Sequence, residues 1–246
     1  MRKNNPIEIA KGAYKREGLN YLVDKGLRFT LDHLRNYLFY WYYKKLYSKK
    51  TFEFQGKKYN YYHHHRGRTW KTERSVEIPI VWAMVTEFRK QNKRILEVGN
   101  VLSYRFNIDH EVLDKYEMVP GVINQDVVSY SPDKPYDLIV SISTMEHVGW
   151  DESPRDPSKL LRGIQNLTNM LSYGGKMIIT LPLGQNSFLD ELLNKNIAIF
   201  DKQYYLRRES NLFWRQEKWE KVMDISYDEK VPCANGILIG MIEKNN

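Results

Sequence analysis

The chain has 246 residues, 42% hydrophobic and 28% charged, a globular composition that excludes collagen-like, coiled-coil-only and wholly disordered readings. Length predicts one or two domains, with enough buried surface to need no staple; the single cysteine, Cys233, excludes an internal disulfide framework and a cysteine-cluster metal site. The formal charge of +8 is uneven: residues 1–75 hold 18 Lys+Arg against 6 Asp+Glu and 16 of the 33 aromatics, while residues 76–246 hold 20 against 24.

At the start, MRKNNPIEIAKG is not followed by the apolar run of a signal peptide. No apolar stretch reaches the roughly 18 residues of a membrane span. A soluble, cytoplasmic protein is therefore expected, with a peripheral membrane contact left open. Residues from about Leu19 to Leu46 read as one or two helices, with Leu27, Leu31, Leu34, Leu38 and Trp41 on one stripe. Tyr37, Phe39, Tyr40, Tyr42 and Tyr43 surround that stripe, and Lys44, Lys45, Lys49 and Lys50 follow. Aromatics beside lysines suit a membrane–water interface. They equally suit packing on the main domain or on a partner subunit, as in a homodimer, and packing is the preferred reading. The basic excess points to an anionic partner: lipid headgroup, phosphate or RNA.

Residues 51–62 alternate around Gln55-Gly56, which predicts a hairpin. Three consecutive histidines, His63 to His65, cannot all face one ion, so no metal is expected there. His65, Arg66, Trp70, Glu73 and Arg74 form a Trp/Arg/carboxylate mixture that can line a sugar or phosphate pocket. Salt bridging between domains is the competing role. Glu77–Arg89 reads as a helix.

From Arg94 short apolar runs alternate with helical stretches. Arg94–Val98, His110–Leu113, Gly121–Ile123, Asp137–Ile142, Lys176–Leu181 and Ile237–Ile242 are strand candidates. A helix over 157–171 is broken by Gly174-Gly175. Alternation of this kind predicts an α/β fold, a doubly wound and mostly parallel sheet. The chain divides into a helical and hairpin extension, 1–75, and a sheet domain, 76–246.

Ligands of such sheets sit beyond the carboxyl ends of the strands. There the sequence reads RILEVGN, then YDLIVSISTMEHVG, then GGKMIITLPLG. In that order these segments resemble the class I S-adenosylmethionine-dependent methyltransferases, over about residues 92–184. The resemblance implies a Rossmann-like methyltransferase fold, with S-adenosylmethionine as cofactor. It departs in one place: of the family's E/D-x-G-x-G-x-G loop, Glu97-Val98-Gly99-Asn100-Val101-Leu102-Ser103 keeps only the first glycine. The dinucleotide pattern GxGxxG is absent, which argues against a nicotinamide cofactor.

By position, the resemblance implies that Glu97 orders the amino-acid end of the cofactor. Gly99 and Asn100 border the cofactor, Asp114 accepts from the ribose and Asp126 reads the adenine amino group. Ser143 and Met145 complete that wall. Glu146 and His147 follow the fourth strand as candidate catalytic residues. His147 is suited to take a proton from an attacking hydroxyl near neutral pH. The activity implied is O-methylation of a small-molecule or glycan acceptor. An RNA methyltransferase and a non-catalytic binding protein that keeps the fold remain as alternatives.

Overall fold

A computed structural model describes residues 27, 30–31, 34–35, 37–46, 49–64, 69, 71–210, 213–228 and 233–245. Strands β1 (Thr51–Phe54) and β2 (Lys57–Asn60) pair antiparallel. Between them Gln55 and Gly56 both take positive φ, 50° and 71°. Positive φ at both central residues gives a turn whose twist matches the strands. Phe52 and Phe54 alternate inward while Thr51 and Glu53 face solvent.

Helix α1 (Arg74–Lys90) contains Pro79. Proline has no N–H to donate four residues back, which frees the carbonyl of Ser75. That carbonyl instead accepts from the Tyr62 N–H at 2.9 Å, tying the hairpin's tail to the helix.

The main sheet adds β3 (Ile95–Val98), β4 (Glu111–Leu113), β5 (Val122–Ile123), β6 (Tyr136–Ile142), β7 (Leu171–Pro182), β8 (Lys202–Ser210), β9 (Phe213–Glu217) and β10 (Gly236–Glu243), with helices α2 (Lys159–Asn169) and α3 (Ser187–Asn194). Its order is β5-β4-β3-β6-β7-β10-β8-β9. The strands from β5 to β7 are parallel, and β10 runs antiparallel between β7 and β8. This is an α/β fold with a doubly wound, mostly parallel sheet, as the sequence predicts.

Both faces of β6 are buried. Leu138, Val140 and Ile142 meet Val76, Ile78 and the hairpin's Phe52 and Phe54 in one cluster; Tyr136 and Ile139 meet Leu160, Ile164 and Leu167 of α2 in the other. A strand covered on both sides reads as a continuous apolar run, and that run is visible in the sequence. The first cluster crosses from residues 1–75 into 76–246, and the Trp214 N–H donates to the Tyr61 hydroxyl at 2.9 Å.

Two details differ from the sequence reading. Gly174-Gly175 does not end the helix, which stops at Asn169; the pair lies inside β7, where the register against β6 shifts. Strands β8 and β9 and helix α3 were not expected. In KQYYLRRES the buried Tyr205 and Leu206 are adjacent, so the strand shows no alternation to read.

Candidate active site

A cleft of about 510 Å³ opens at the carboxyl ends of β3, β4 and β6. Its wall includes Val98, Gly99, Leu113, Asp114, Asp126, Val127, Ser143, Thr144, His147 and Val148. Parallel strands end there together, so backbone groups and loop side chains converge on one edge.

The loop after β3 is held from beneath. Glu97 is fully buried, and its Oε1 accepts from the N–H groups of Val101 and Leu102, both at 2.7 Å. Its Oε2 lies 3.1 Å from His110 Nε2. Glu97 is therefore bonded to the loop and is not part of the cleft wall. A buried carboxylate fixes here what further glycines would otherwise shape. Gly99 has φ +83°, and a Cβ on it would fall 2.2 Å from Thr144 Oγ1. Glycine is required on both counts. Asn100 also lies off the cleft wall; its N–H meets Asp114 Oδ2 at 3.4 Å and its side chain accepts from the Ser103 hydroxyl.

Asp114 follows β4. Its Oδ1 accepts from the N–H groups of Tyr116 and Glu117, both at 2.9 Å, leaving Oδ2 with only the long contact from Asn100. Asp126 is more occupied. Its Oδ1 caps the Val128 N–H at 3.1 Å, and its Oδ2 takes Lys159 Nζ at 2.6 Å and Lys115 Nζ at 2.9 Å. Partial burial opposes its charge, but the hydrogen bonds from Lys159 and Lys115 outweigh that and bring its pKa down to about 2. Glu152 closes the cluster, 2.5 Å from Lys159 and 3.2 Å from Lys115. Sequence reasoning missed this four-residue cluster, because its members lie up to 44 positions apart between Lys115 and Lys159.

The end of β6 turns sharply. Ser143 has φ +38° and its hydroxyl donates to Glu77 Oε1 at 2.6 Å. A 3₁₀ turn, Met145–His147, then sends its three side chains in different directions. Met145 is fully buried in the core, where a Cβ on Gly163 would come 2.9 Å from its Cε. Unlike its neighbours Thr144 and His147, it is not part of the cleft wall. Glu146 is 1% exposed, neither of its oxygens has a hydrogen-bond partner, and burial drives its pKa well above the usual carboxylate range. It lies off the cleft wall, with Oε1 3.6 Å from His147 Nε2. Asn186 pins this turn. Its Nδ2 donates to the Glu146 carbonyl at 2.8 Å, while its Oδ1 caps α3 by accepting from Phe188 and Leu189.

His147 lines the cleft, with Nδ1 2.5 Å from Asp151 Oδ2. Asp151 is one helical turn further on, and its N–H donates to the His147 carbonyl at 3.1 Å. The i, i+4 spacing in HVGWD was the signal that could have found it.

Glu73 and Arg74 are taken up by internal bonds. Arg74 donates to the carbonyls of Ile142 at 2.7 Å and Ser143 at 3.3 Å and pairs with Glu77 at 3.5 Å; Glu73 Oε2 accepts from the Ala234 N–H at 2.8 Å. They buckle α1 to the carboxyl edge of the sheet and are not placed as substrate ligands. His65, Arg66 and Trp70 lie outside the described residues.

No protein-family model and no curated protein matches this sequence. Solved structures of similar architecture include the N-methyltransferase NodS from Bradyrhizobium japonicum WM9 in complex with S-adenosyl-L-homocysteine, at 11% identity and TM-score 0.44, covering 74% of this chain and 94% of that one. The sugar N-methyltransferase KedS8 from Streptoalloteichus has 11% identity and TM-score 0.37, covering 70% and 88%. An rRNA methylase from Streptococcus thermophilus has 13% identity and TM-score 0.37, covering 69% and 97%.

Proposed function

We propose that this chain is an S-adenosylmethionine-dependent methyltransferase that methylates an oxygen of a small or carbohydrate-like acceptor. The observation that carries this reading is the cleft: its wall holds both an acid after β4, one of whose oxygens has only the long contact from the Asn100 N–H, and an Asp-supported histidine after β6. The size suits a small molecule. Asp114 Oδ2 can accept from ribose hydroxyls, and Val98, Leu113, Val127 and Val148 offer apolar surface to a purine. Lys115 and Lys159 are matched by Asp126 and Glu152. A lining without spare positive charge suits a sulfonium better than it suits a pyrophosphate.

When bound, the cofactor supplies a methyl group already activated on sulfur. The chain's own tasks are positioning and proton removal. Asp151 holds Nδ1, which fixes the tautomer and leaves Nε2 to accept a proton from an acceptor hydroxyl. Gly99 and Ser143 keep the two loop ends in register, one through its missing Cβ and the other through Glu77.

Calorimetric titration with S-adenosylhomocysteine tests the reading. Binding is expected with a dissociation constant on the order of micromolar, about −8 kcal/mol. A folded protein that takes up no ligand at millimolar concentration sinks it and leaves a binding protein that merely keeps the fold.

A further inference from the structure

The helical run 37–46 has two unlike sides. Tyr40 is buried, 7% exposed. Leu38 lies roughly 200° around the helix from it, at about 100° per residue, and is 60% exposed. Leu31, Leu34, Trp41 and Tyr42 are likewise half exposed or more. With Tyr40 turned inward, the stripe is turned outward. Among the described residues, the expected packing of this stripe on the main domain does not occur. A contiguous apolar surface of this kind marks an interaction site.

Charge decides the occupant. Lys44 and Lys45 stand at the end of the stripe, Lys49 and Lys50 follow, and residues 1–75 carry a formal +12. Lys44 Nζ lies 5.0 Å over the Trp41 ring. Two copies joined stripe to stripe would press like charges together. RNA would meet the lysines but leave the leucines uncovered. An anionic bilayer satisfies both, taking leucines and Trp41 at the acyl boundary and lysines among the headgroups. No described helix is long and apolar enough to cross a membrane.

We propose that this segment docks the protein in the plane of an anionic lipid surface. The proposal is independent of the methyl-transfer reading, since none of these side chains lines the cleft.

Cosedimentation with vesicles tests it, using phosphatidylcholine alone and phosphatidylcholine with phosphatidylglycerol. Wild type is expected to bind the anionic vesicles, more weakly as salt rises. Lys44→Gln/Lys45→Gln should weaken that binding by about 30-fold, and Leu38→Glu should abolish it, with circular dichroism and thermal melting unchanged in both. If Leu38→Glu fails to fold, Leu38→Ser serves in its place. Equal binding to both vesicle types overturns the proposal. So does an absence of vesicle binding, whether the stripe then proves to close a dimer by light scattering or to hold single-stranded RNA.

Discussion

His147 and Asp114 occupy the cleft for different reasons, so their substitutions should separate. A positioned base contributes about 10²–10⁴-fold to proton transfer. His147→Ala should therefore lower single-turnover methyl transfer by about that factor, with cofactor affinity nearly unchanged. Asp151→Asn should lower the same step less, since it disturbs the imidazole's tautomer and leaves the ring in place. Early melting of both variants, with loss of ligand, would make the pair a structural clasp of the turn. Asp114→Ala should weaken cofactor binding by roughly 1.5–3 kcal/mol, the worth of a charge-assisted hydrogen bond. Asp114→Asn is the control: it keeps an oxygen for the Tyr116 and Glu117 amides and loses the charge. If affinity falls in Ala and recovers fully in Asn, Asp114 only shapes the loop.

Loops, more than strands, set the cleft's shape. The loop after β3 and the turn after β6 touch at Gly99 and Thr144, where an added Cβ would lie 2.2 Å from Oγ1 and 2.8 Å from the Thr144 Cβ. At φ +83° a side chain is also strained by about 1–3 kcal/mol. Gly99→Ala should accordingly lower the melting temperature and weaken ligand binding together. Thr144→Ala on that background should restore part of both, because the threonine Cβ position remains in the way. No rescue would mean that backbone strain alone sets the cost. Elsewhere the same economy appears at Pro79, whose missing N–H gives the Ser75 carbonyl to Tyr62 and so joins α1 to the hairpin.

Over the whole molecule, buried acids set the response to pH. Glu77 and Glu146 both have raised pKa values, chiefly from burial, with Arg74 pulling back on each. The native state then holds more protons than the unfolded chain, so stability is greatest below the free carboxylate range and falls as pH rises toward the raised values. Asp126 acts in the opposite sense. Its pKa is depressed to about 2, so its contribution is present above the free value and is lost as pH falls toward 2. Together they place the stability maximum near the free carboxylate range, with losses on either side. Glu146→Gln removes one titration and should flatten the decline that sets in as pH rises above the free carboxylate range, as read by thermal melts. An unchanged slope would show that Glu146 stays ionised when folded.

Much of the sheet was legible because its signals are local. A strand buried on both faces reads as a nearly unbroken apolar run, and Leu138-Ile139-Val140 is one, with only the buried Ser141 before Ile142; a hairpin turn with two positive φ values tolerates Gln-Gly, and the chain supplies it. The carboxyl edge could be located in the same way, and Gly99, Asp114, Asp126, Ser143 and His147 do reach it. Direction and occupancy of side chains were decided only in three dimensions. A 3₁₀ turn buried Met145 and Glu146 while leaving His147 in the cleft. Glu97 turned to its own loop amides, and Lys115 and Lys159 arrived from separate elements to claim Asp126. Sequence fixes where a residue sits along a strand, but what its polar atoms bond to depends on which distant donors the fold brings within about 3 Å.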